Sequence, residues 1–333
     1  MSLSQDPVRQ PAAEEALIRA ALTPEINHRV RSARIVARRA VIVAEAGDLS
    51  PAGRAQLEAD ITAALAPLAE IDEVRVALTG ERRRRRLIAV GSGKGGVGKS
   101  TLTTNLAVAL ARMGRRVGVI DGDIYGPSQP KLLATEGVKP AVEGDKLVPI
   151  ESRHGVKVLS MGHIVAPGKA LAWRGPMTGK ALGQLVDAEW GETDLLLVDL
   201  PPGTGDVQLS MLSAHKPDGA VLVSTPQDLA LIDAARAGQL FEQGEVPIIG
   251  LVENMAGYCC PECGHISDPF GSGGVEKFAA ALEIPFLGRV PLTLATRIAG
   301  DKGEPPAAGD DETAAPFRAI AEKLAHWLDT GRI

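Results

Sequence analysis

The hydrophobic positions of the chain follow a helical period first, then a strand-like one, then a regular alternation of the two. Residues 12–22 (AAEEALIRAAL) place apolar side chains at helical spacing, and Val30 to Val43 is rich in β-branched residues suited to strands. Ser50 before Pro51 predicts an N-cap with proline in the first helical turn, opening a helix that runs through AGRAQLEADITAALAPLAEI. Val74 to Leu78 reads as a short strand that stops before Gly80. Together these predict a small α+β domain over residues 1–80.

Glu81 to Arg86 (ERRRRR) then separates this unit from the rest, because like charges in a run repel and stay solvated; residues 81–86 read as a linker. Beyond it, strand and helix signals alternate. Leu87 to Val90 is a buried-strand pattern, Lys99 to Met113 is helical with Gly114 as its cap, and Val117 to Ile120 is the next strand. Further apolar runs at Val156 to Ser160, Leu195 to Val198, Ala220 to Val223 and Pro247 to Val252 are separated by helical stretches. This alternation predicts an α/β domain over residues 87–333, a doubly wound, mostly parallel sheet with helices on both faces. Ligands of such sheets sit at the carboxyl ends of the strands.

Composition narrows the function classes. Of 333 residues, 45% are hydrophobic and 23% charged, which suits one large core and a smaller one. The formal charge of -5 opposes a general nucleic-acid binder. No apolar run approaches the roughly 18 residues of a membrane span, and the first residues carry no hydrophobic stretch behind a basic start. The expectation is a cytoplasmic protein whose partners are neither nucleic acid nor membrane. All three cysteines lie between Cys259 and Cys263, too close together to staple a large fold, so their clustering points to metal or redox chemistry.

Gly93-Lys94-Gly95-Gly96-Val97-Gly98-Lys99-Ser100 fits the phosphate-binding pattern G-x-x-x-x-G-K-[ST] between a predicted strand and a predicted helix. Gly93, Gly95, Gly96, Val97 and Gly98 bring backbone amides close to the phosphates of ATP, and Lys99 adds a charge near the β and γ phosphates. Ser100 is a magnesium ligand, and Thr101 follows it in the nucleotide-binding turn. Asp199 ends an apolar strand and suits a carboxylate that holds Mg2+ through water, followed by a stiff turn at Pro201 to Gly203. Asp121-Gly122-Asp123 follows another strand, so one of these carboxylates faces the γ phosphate and orients water; Asp123 is the candidate.

The second lysine of the loop, Lys94 in GKGGVGKST, resembles the signature of the deviant-Walker ATPases that include MinD, ParA and the nitrogenase iron protein. That resemblance implies a face-to-face homodimer in which Lys94 reaches the partner's nucleotide. Within the group the chain is similar to the Mrp/ApbC family of ATP-binding iron-sulfur cluster carriers. The likeness covers residues 87 to about 303: the loop itself, DGDIYGPS at Asp121 to Ser128, WRGPM at Trp173 to Met177, VDLPPGTGD at Val198 to Asp206, STPQD at Ser224 to Asp228, and ENM followed by CPEC. The N-terminal unit resembles a domain often fused ahead of these ATPases, although its TPEIN at Thr23 to Asn27 departs from that domain's usual DPE-type start.

Cys260-Pro261-Glu262-Cys263 presents two thiolates on a tight turn, a spacing that suits zinc or an iron-sulfur cluster. The chain has no second C-x-x-C, so a four-thiolate site requires two subunits. The family resemblance implies a [4Fe-4S] cluster bridged in this way and handed to apo iron-sulfur proteins, with a cluster-assembly scaffold as a further partner. Three other readings of the residues stand beside it. One is a structural zinc shared across the dimer, with His265 or Cys259 filling a position, which would go with a MinD- or ParA-like positioning ATPase rather than a carrier. Another is a dithiol redox pair, which lacks the helix N-terminus such sites use. The third concerns Cys259 alone, as a buried or spare thiol.

The resemblance also suggests that Asn254, just past a strand, reads the adenine edge of the nucleotide. Phe317, Ile320, Leu324, Trp327 and Leu328 share a helical face near the C-terminus. It packs on the domain rather than on a membrane, because its polar neighbours are of mixed charge.

Overall fold

A computed structural model describes residues 11–47, 49, 51–79, 85–124, 126–164 and 175–333. The chain packs as two units that divide between Arg84 and Arg85. Most of the arginine run, the Ser50 cap and the Trp173-Arg174 start of the WRGPM match lie outside the described residues.

The first unit comprises α1 (Pro11–Ala21), α2 (Pro24–Arg29), β1 (Val30–Val36), β2 (Arg39–Glu45), α3 (Pro51–Leu65) and β3 (Glu73–Thr79). Its described strands order β1-β2-β3, the first pair antiparallel and the second parallel. The β-branched stretch from Val30 is broken by a two-residue turn in which Ala37 and Arg38 both take positive φ, 48° and 62°, the geometry that lets a tight hairpin match the strand twist. Thr23 caps α2, its hydroxyl accepting from the Ile26 N–H at 3.4 Å ahead of a proline in the first turn. The helix predicted through Ile71 stops at Leu65, since Pro67 has no N–H to continue the ladder and disfavours helical backbone before it. Ile18, Ile42, Ile61 and Leu65 are fully buried between the helices and the sheet.

The second unit begins with β4 (Arg86–Gly91), α4 (Lys99–Arg112), β5 (Val117–Asp121), α5 (Gln129–Leu132) and the hairpin β6 (Ala141–Glu143) and β7 (Lys146–Val148). It continues through β8 (Ile150–Glu151), β9 (Lys157–Ser160), α6 (Met161–Ile164), α7 (Gly175–Val186), β10 (Leu195–Asp199), α8 (Asp206–Ala214), β11 (Gly219–Ser224) and α9 (Asp228–Gln243). It ends with β12 (Ile248–Cys259), β13 (Ile266–Ser267), α10 (Gly274–Ala281), β14 (Phe286–Leu292), α11 (Leu294–Asp301) and α12 (Ala315–Thr330).

Among the described residues the main sheet orders β14-β12-β11-β4-β10-β5-β9-β8, parallel from β14 to β9, with β8 antiparallel at one edge and β13 folded back antiparallel on the far end of β12. Alternate residues of each strand face opposite sides, as the pleat requires. Ile88, Val90, Leu195 and Leu197 pack with α4 and with Phe317, Ile320, Leu324 and Trp327 of α12. Leu87, Ala89, Leu196 and Val198 pack on the other face with Leu185, Met211 and Phe241. The C-terminal apolar stripe is therefore core. Among the described residues no helix is long and apolar enough to cross a membrane.

β4 lies between β10 and β11, and β10 lies between β4 and β5. In register, Asp199 is level with Val90 on one side and Asp121 on the other, so the loop after β4 and two aspartates come together at one end of the sheet. β12 runs seven residues past the predicted end at Val252. Its pairing with β14 becomes irregular after Asn254, with Met255 at φ 57° and Gly257 at φ 77°. Apolar alternation stops where the strand leaves the core, which is why the pattern ended the strand early.

Candidate nucleotide site and cysteine hairpin

The β4–α4 loop is held from three sides. A Cβ on Gly93 would lie 2.0 Å from the Asp233 carbonyl carbon of α9, so only glycine allows that helix so close. Gly96 and Gly98 take φ of 80° and 81°, which turns the loop back over the start of α4. The Ser92 carbonyl accepts from the Gly203 N–H at 2.9 Å, tying the loop to the Pro201–Gly203 turn. Gln208 supports that turn from α8, its Nε2 donating to the Pro201 and Gly203 carbonyls.

Lys99 is buried and its ammonium donates to the Asp199 carboxylate. Asp199 has no exposed surface, and its second oxygen accepts from Gln129 Nε2 at 2.8 Å. Ser100 and Thr101 open α4 half-exposed, with their carbonyls accepting from Thr104 and Asn105 side chains. The donor set fits Mg-ATP: a strand-end carboxylate and a serine hydroxyl are hard oxygen ligands suited to magnesium. The space over Gly96, where a Cβ would meet nothing within 4 Å, leaves backbone amides open to phosphate.

Asp123 and Asp121 differ in burial and in partners. Asp123 is half-exposed just past the end of β5 and accepts from the Gly126 N–H at 3.2 Å. Asp121 is fully buried; its Oδ2 accepts from Gln129 N–H at 3.0 Å and from the Ser160 hydroxyl at 2.9 Å, and its Oδ1 accepts from Asp123 N–H at 3.2 Å. Burial, then the neighbouring Asp199 charge, pushes the Asp121 carboxyl up to about 7.

Lys94 and Asn254 are drawn into the loop's own framework. Lys94 Nζ donates to Gln227 Oε1 at 3.1 Å, at the N-cap of α9. Asn254 Nδ2 donates to the Val97 carbonyl at 2.7 Å, and a Cβ on Gly98 would lie 2.1 Å from that nitrogen. The amide predicted to read adenine thus braces the phosphate loop from β12.

Five residues beyond Asn254, β12 ends at Cys259, and the turn that follows carries Cys260 and Cys263. Cys260 N–H donates to the His265 carbonyl at 3.0 Å and Gly264 N–H donates back to Cys260 at 2.9 Å, closing a tight turn with Gly264 at φ 69°. Backbone N–H groups of Cys263 and Glu262, then the Cys263 thiol, hold the Cys260 thiol below its usual range, as expected of a turn shaped to hold thiolate. Cys263 is exposed, and so is Cys259, whose thiol sits 3.7 Å from the Gly264 carbonyl rather than in a core. Among the described residues no group of three or more His, Cys, Asp or Glu side chains could hold a metal ion within one chain.

Several residues at the site were not foreseen. Gln129 sits one position past the DGDIYGPS match, Gln227 lies within STPQD, and Gln208 lies two past the PPGTGD stretch. Amides carry no periodic or charge signal, so only contact geometry reveals them. Glu253 is another: fully buried, it accepts from the Gly273 and Val275 N–H groups and from Arg289, anchoring the start of α10 beside the cysteine strand.

Comparison with known proteins agrees with this geometry. An iron-sulfur cluster carrier protein of Methanococcus maripaludis is 45% identical over 241 residues, covering 71% of this chain and 83% of the relative. A nucleotide-binding protein from Archaeoglobus fulgidus, solved with ADP, is 40% identical with a TM-score of 0.59, covering 68% of this chain and 90% of that one. The cell-division ATPase MinD of Pyrococcus furiosus is 26% identical with a TM-score of 0.56, covering 73% and 99%. The family model for ParA, described as the NUBPL iron-transfer P-loop NTPase, matches residues 83–325, and the chain belongs to that family.

Proposed function

We propose that this protein is an ATP-hydrolysing iron-sulfur cluster carrier that works as a homodimer. One observation carries the reading: β12 touches the phosphate loop through Asn254 and ends at Cys259, and the turn that follows it presents Cys260 and Cys263, so one continuous segment links the nucleotide site to the thiolate pair. Two thiolates per chain leave a four-thiolate site half complete, and a second copy supplies the other pair. The cargo that fits such a pair of hairpins is a [4Fe-4S] cluster, exposed enough to pass to an apoprotein after a cluster-assembly scaffold has loaded it.

Lys99, Ser100, Thr101 and the loop amides from Gly93 to Gly98 bind ATP, and Ser100 with Asp199 holds magnesium, which would offset the phosphate charge. Asp123, half-exposed, orients water, while buried Asp121 organises the segment around it. Lys94 reaches the partner's nucleotide when two copies face each other. Support for that face comes from exposed apolar side chains beside these groups: Leu229 at 73% and Ile232 at 52% on α9, whose cap Gln227 receives Lys94, and Ile266 at 71% on the cysteine hairpin. Closing and relaxing this dimer with nucleotide state would tune cluster retention.

The test is anaerobic cluster reconstitution of the wild type and a Cys260→Ser, Cys263→Ser double variant, read by absorbance and by iron, sulfide and zinc counts. The expected result is a chromophore near 400 nm with about four irons per dimer, absent from the variant. A wild type that holds only zinc, or stays colourless, would move the protein to the positioning ATPases that share its fold.

A further inference from the structure

Three parts of the nucleotide site meet on one buried amide. Gln129 opens α5 directly after the Asp121–Ser128 segment and has no exposed surface. Its Nε2 donates to Asp199 Oδ2 at 2.8 Å and to the Ser100 carbonyl at 3.1 Å, while its Oε1 accepts from the Thr104 hydroxyl at 2.6 Å. Its backbone N–H donates to Asp121 Oδ2 at 3.0 Å. The side chain therefore joins the strand-end carboxylate to the first turn of α4, and the backbone joins both to β5. An apolar residue of the same length would fill the volume and keep the backbone bond to Asp121, but would satisfy none of the three side-chain partners.

The arrangement matters because the present partner of Asp199 has another task. Lys99 donates to Asp199 Oδ1, with the Thr103 hydroxyl at 3.5 Å on the same oxygen. In a phosphate-binding loop this lysine serves the β and γ phosphates. When Lys99 turns to nucleotide, Asp199 loses its cation while lying level with Asp121 on the next strand. The Oδ2 contact with Gln129 does not depend on Lys99.

We infer that Gln129 is a positioning residue that keeps the Asp199 carboxylate oriented for magnesium once Lys99 engages the phosphates, and that links this hold to the Asp121–Ser128 segment. The inference rests on the proposed Mg-ATP site. It sets a specific signature: losing Gln129 weakens the metal-dependent part of nucleotide binding and spares the metal-free part, which the loop amides and Lys99 supply.

The experiment compares the full-length wild type with Gln129→Met, of similar length but without the amide, and with Thr104→Val, which removes the bond to Oε1. ATP binding is measured by calorimetry in EDTA and across a magnesium titration, and Mn2+ binding to the ATP complex by electron paramagnetic resonance. For Gln129→Met the expected result is affinity in EDTA within about twofold of wild type, with half-saturating magnesium and manganese raised about tenfold, the loss of one buried hydrogen bond to a charged group. Thr104→Val shifts the same way by about threefold. Equal losses with and without metal, or an unchanged metal titration, would overturn the inference. If Gln129→Met does not fold, Thr104→Val decides by the same two criteria. A wild type that binds no ATP in any condition overturns the nucleotide reading along with this one, whereas normal wild-type binding beside an unshifted variant overturns only this one.

Discussion

Asp121→Asn tests the electrostatics of the site most directly. The unfolded chain releases the Asp121 proton near the ordinary 3.8, whereas the folded protein holds it to about 7. Between those values the unfolded state gains by ionising and the folded state does not, so stability is full below pH 3.8, falls as the pH rises to about 7, and is level beyond. At about 1.36 kcal/mol per pH unit, the Asp121 penalty grows from about 2 kcal/mol at pH 5 to about 4 kcal/mol at pH 8. Asparagine does not titrate. It keeps one acceptor for Gln129 and Ser160 but turns an NH2 group toward the Asp123 N–H, a cost of about 1–2 kcal/mol. The variant should thus match wild type near pH 5 and exceed it by about 2–3 kcal/mol at pH 8. Urea unfolding followed by tryptophan fluorescence measures this in the second unit, since Trp173, Trp190 and Trp327 all lie beyond Arg85. A wild-type-minus-variant difference that stays constant from pH 5 to pH 8 would mean that folded Asp121 is ionised throughout, and the burial argument would fail.

Further outcomes follow from packing and pairing. Gly93→Ala puts a Cβ 2.0 Å from the Asp233 carbonyl carbon, so α9 or the loop must shift; ATP affinity, measured by calorimetry, should fall at least about tenfold. Gly96→Ala meets no neighbour within 4 Å and bears only the strain of φ 80°, about 1–2 kcal/mol, so its loss in the same assay should be milder if the loop relaxes. Asn254→Ala leaves the Val97 carbonyl without its 2.7 Å donor and should cost about 1 kcal/mol in unfolding while narrowing the difference in cluster retention between ATP-bound and ATP-free protein. Glu253→Ala leaves two backbone N–H groups without their acceptor and removes one of the two carboxylates that hold Arg289, with Glu276 remaining, and should cost about 2–3 kcal/mol in urea unfolding, whereas Glu253→Gln, which keeps an acceptor, should cost less.

The features that depend on local chemistry are legible along the chain. Continuous apolar runs and helical apolar spacing gave the alternating strands and helices, because each strand buries both faces under helices whose stripes are readable along the chain. GKGGVGKS identified the phosphate loop, since the spacing of its glycines and lysine is itself the binding geometry. The CPEC turn likewise announced a thiolate pair. Tertiary structure decided what depends on distant residues meeting. Asp121 and Asp123 are both strand-end aspartates in sequence, and only the register with Asp199 buried one and left the other half-exposed. Asn254 carries an amide whose partner, the Val97 carbonyl, is remote in the chain, and Gln129 gathers Ser100, Thr104 and Asp199 from two other elements. Such polar contacts have no periodicity to betray them: a buried amide takes whichever donors and acceptors the fold brings within reach, and that is settled only when the strands are in register.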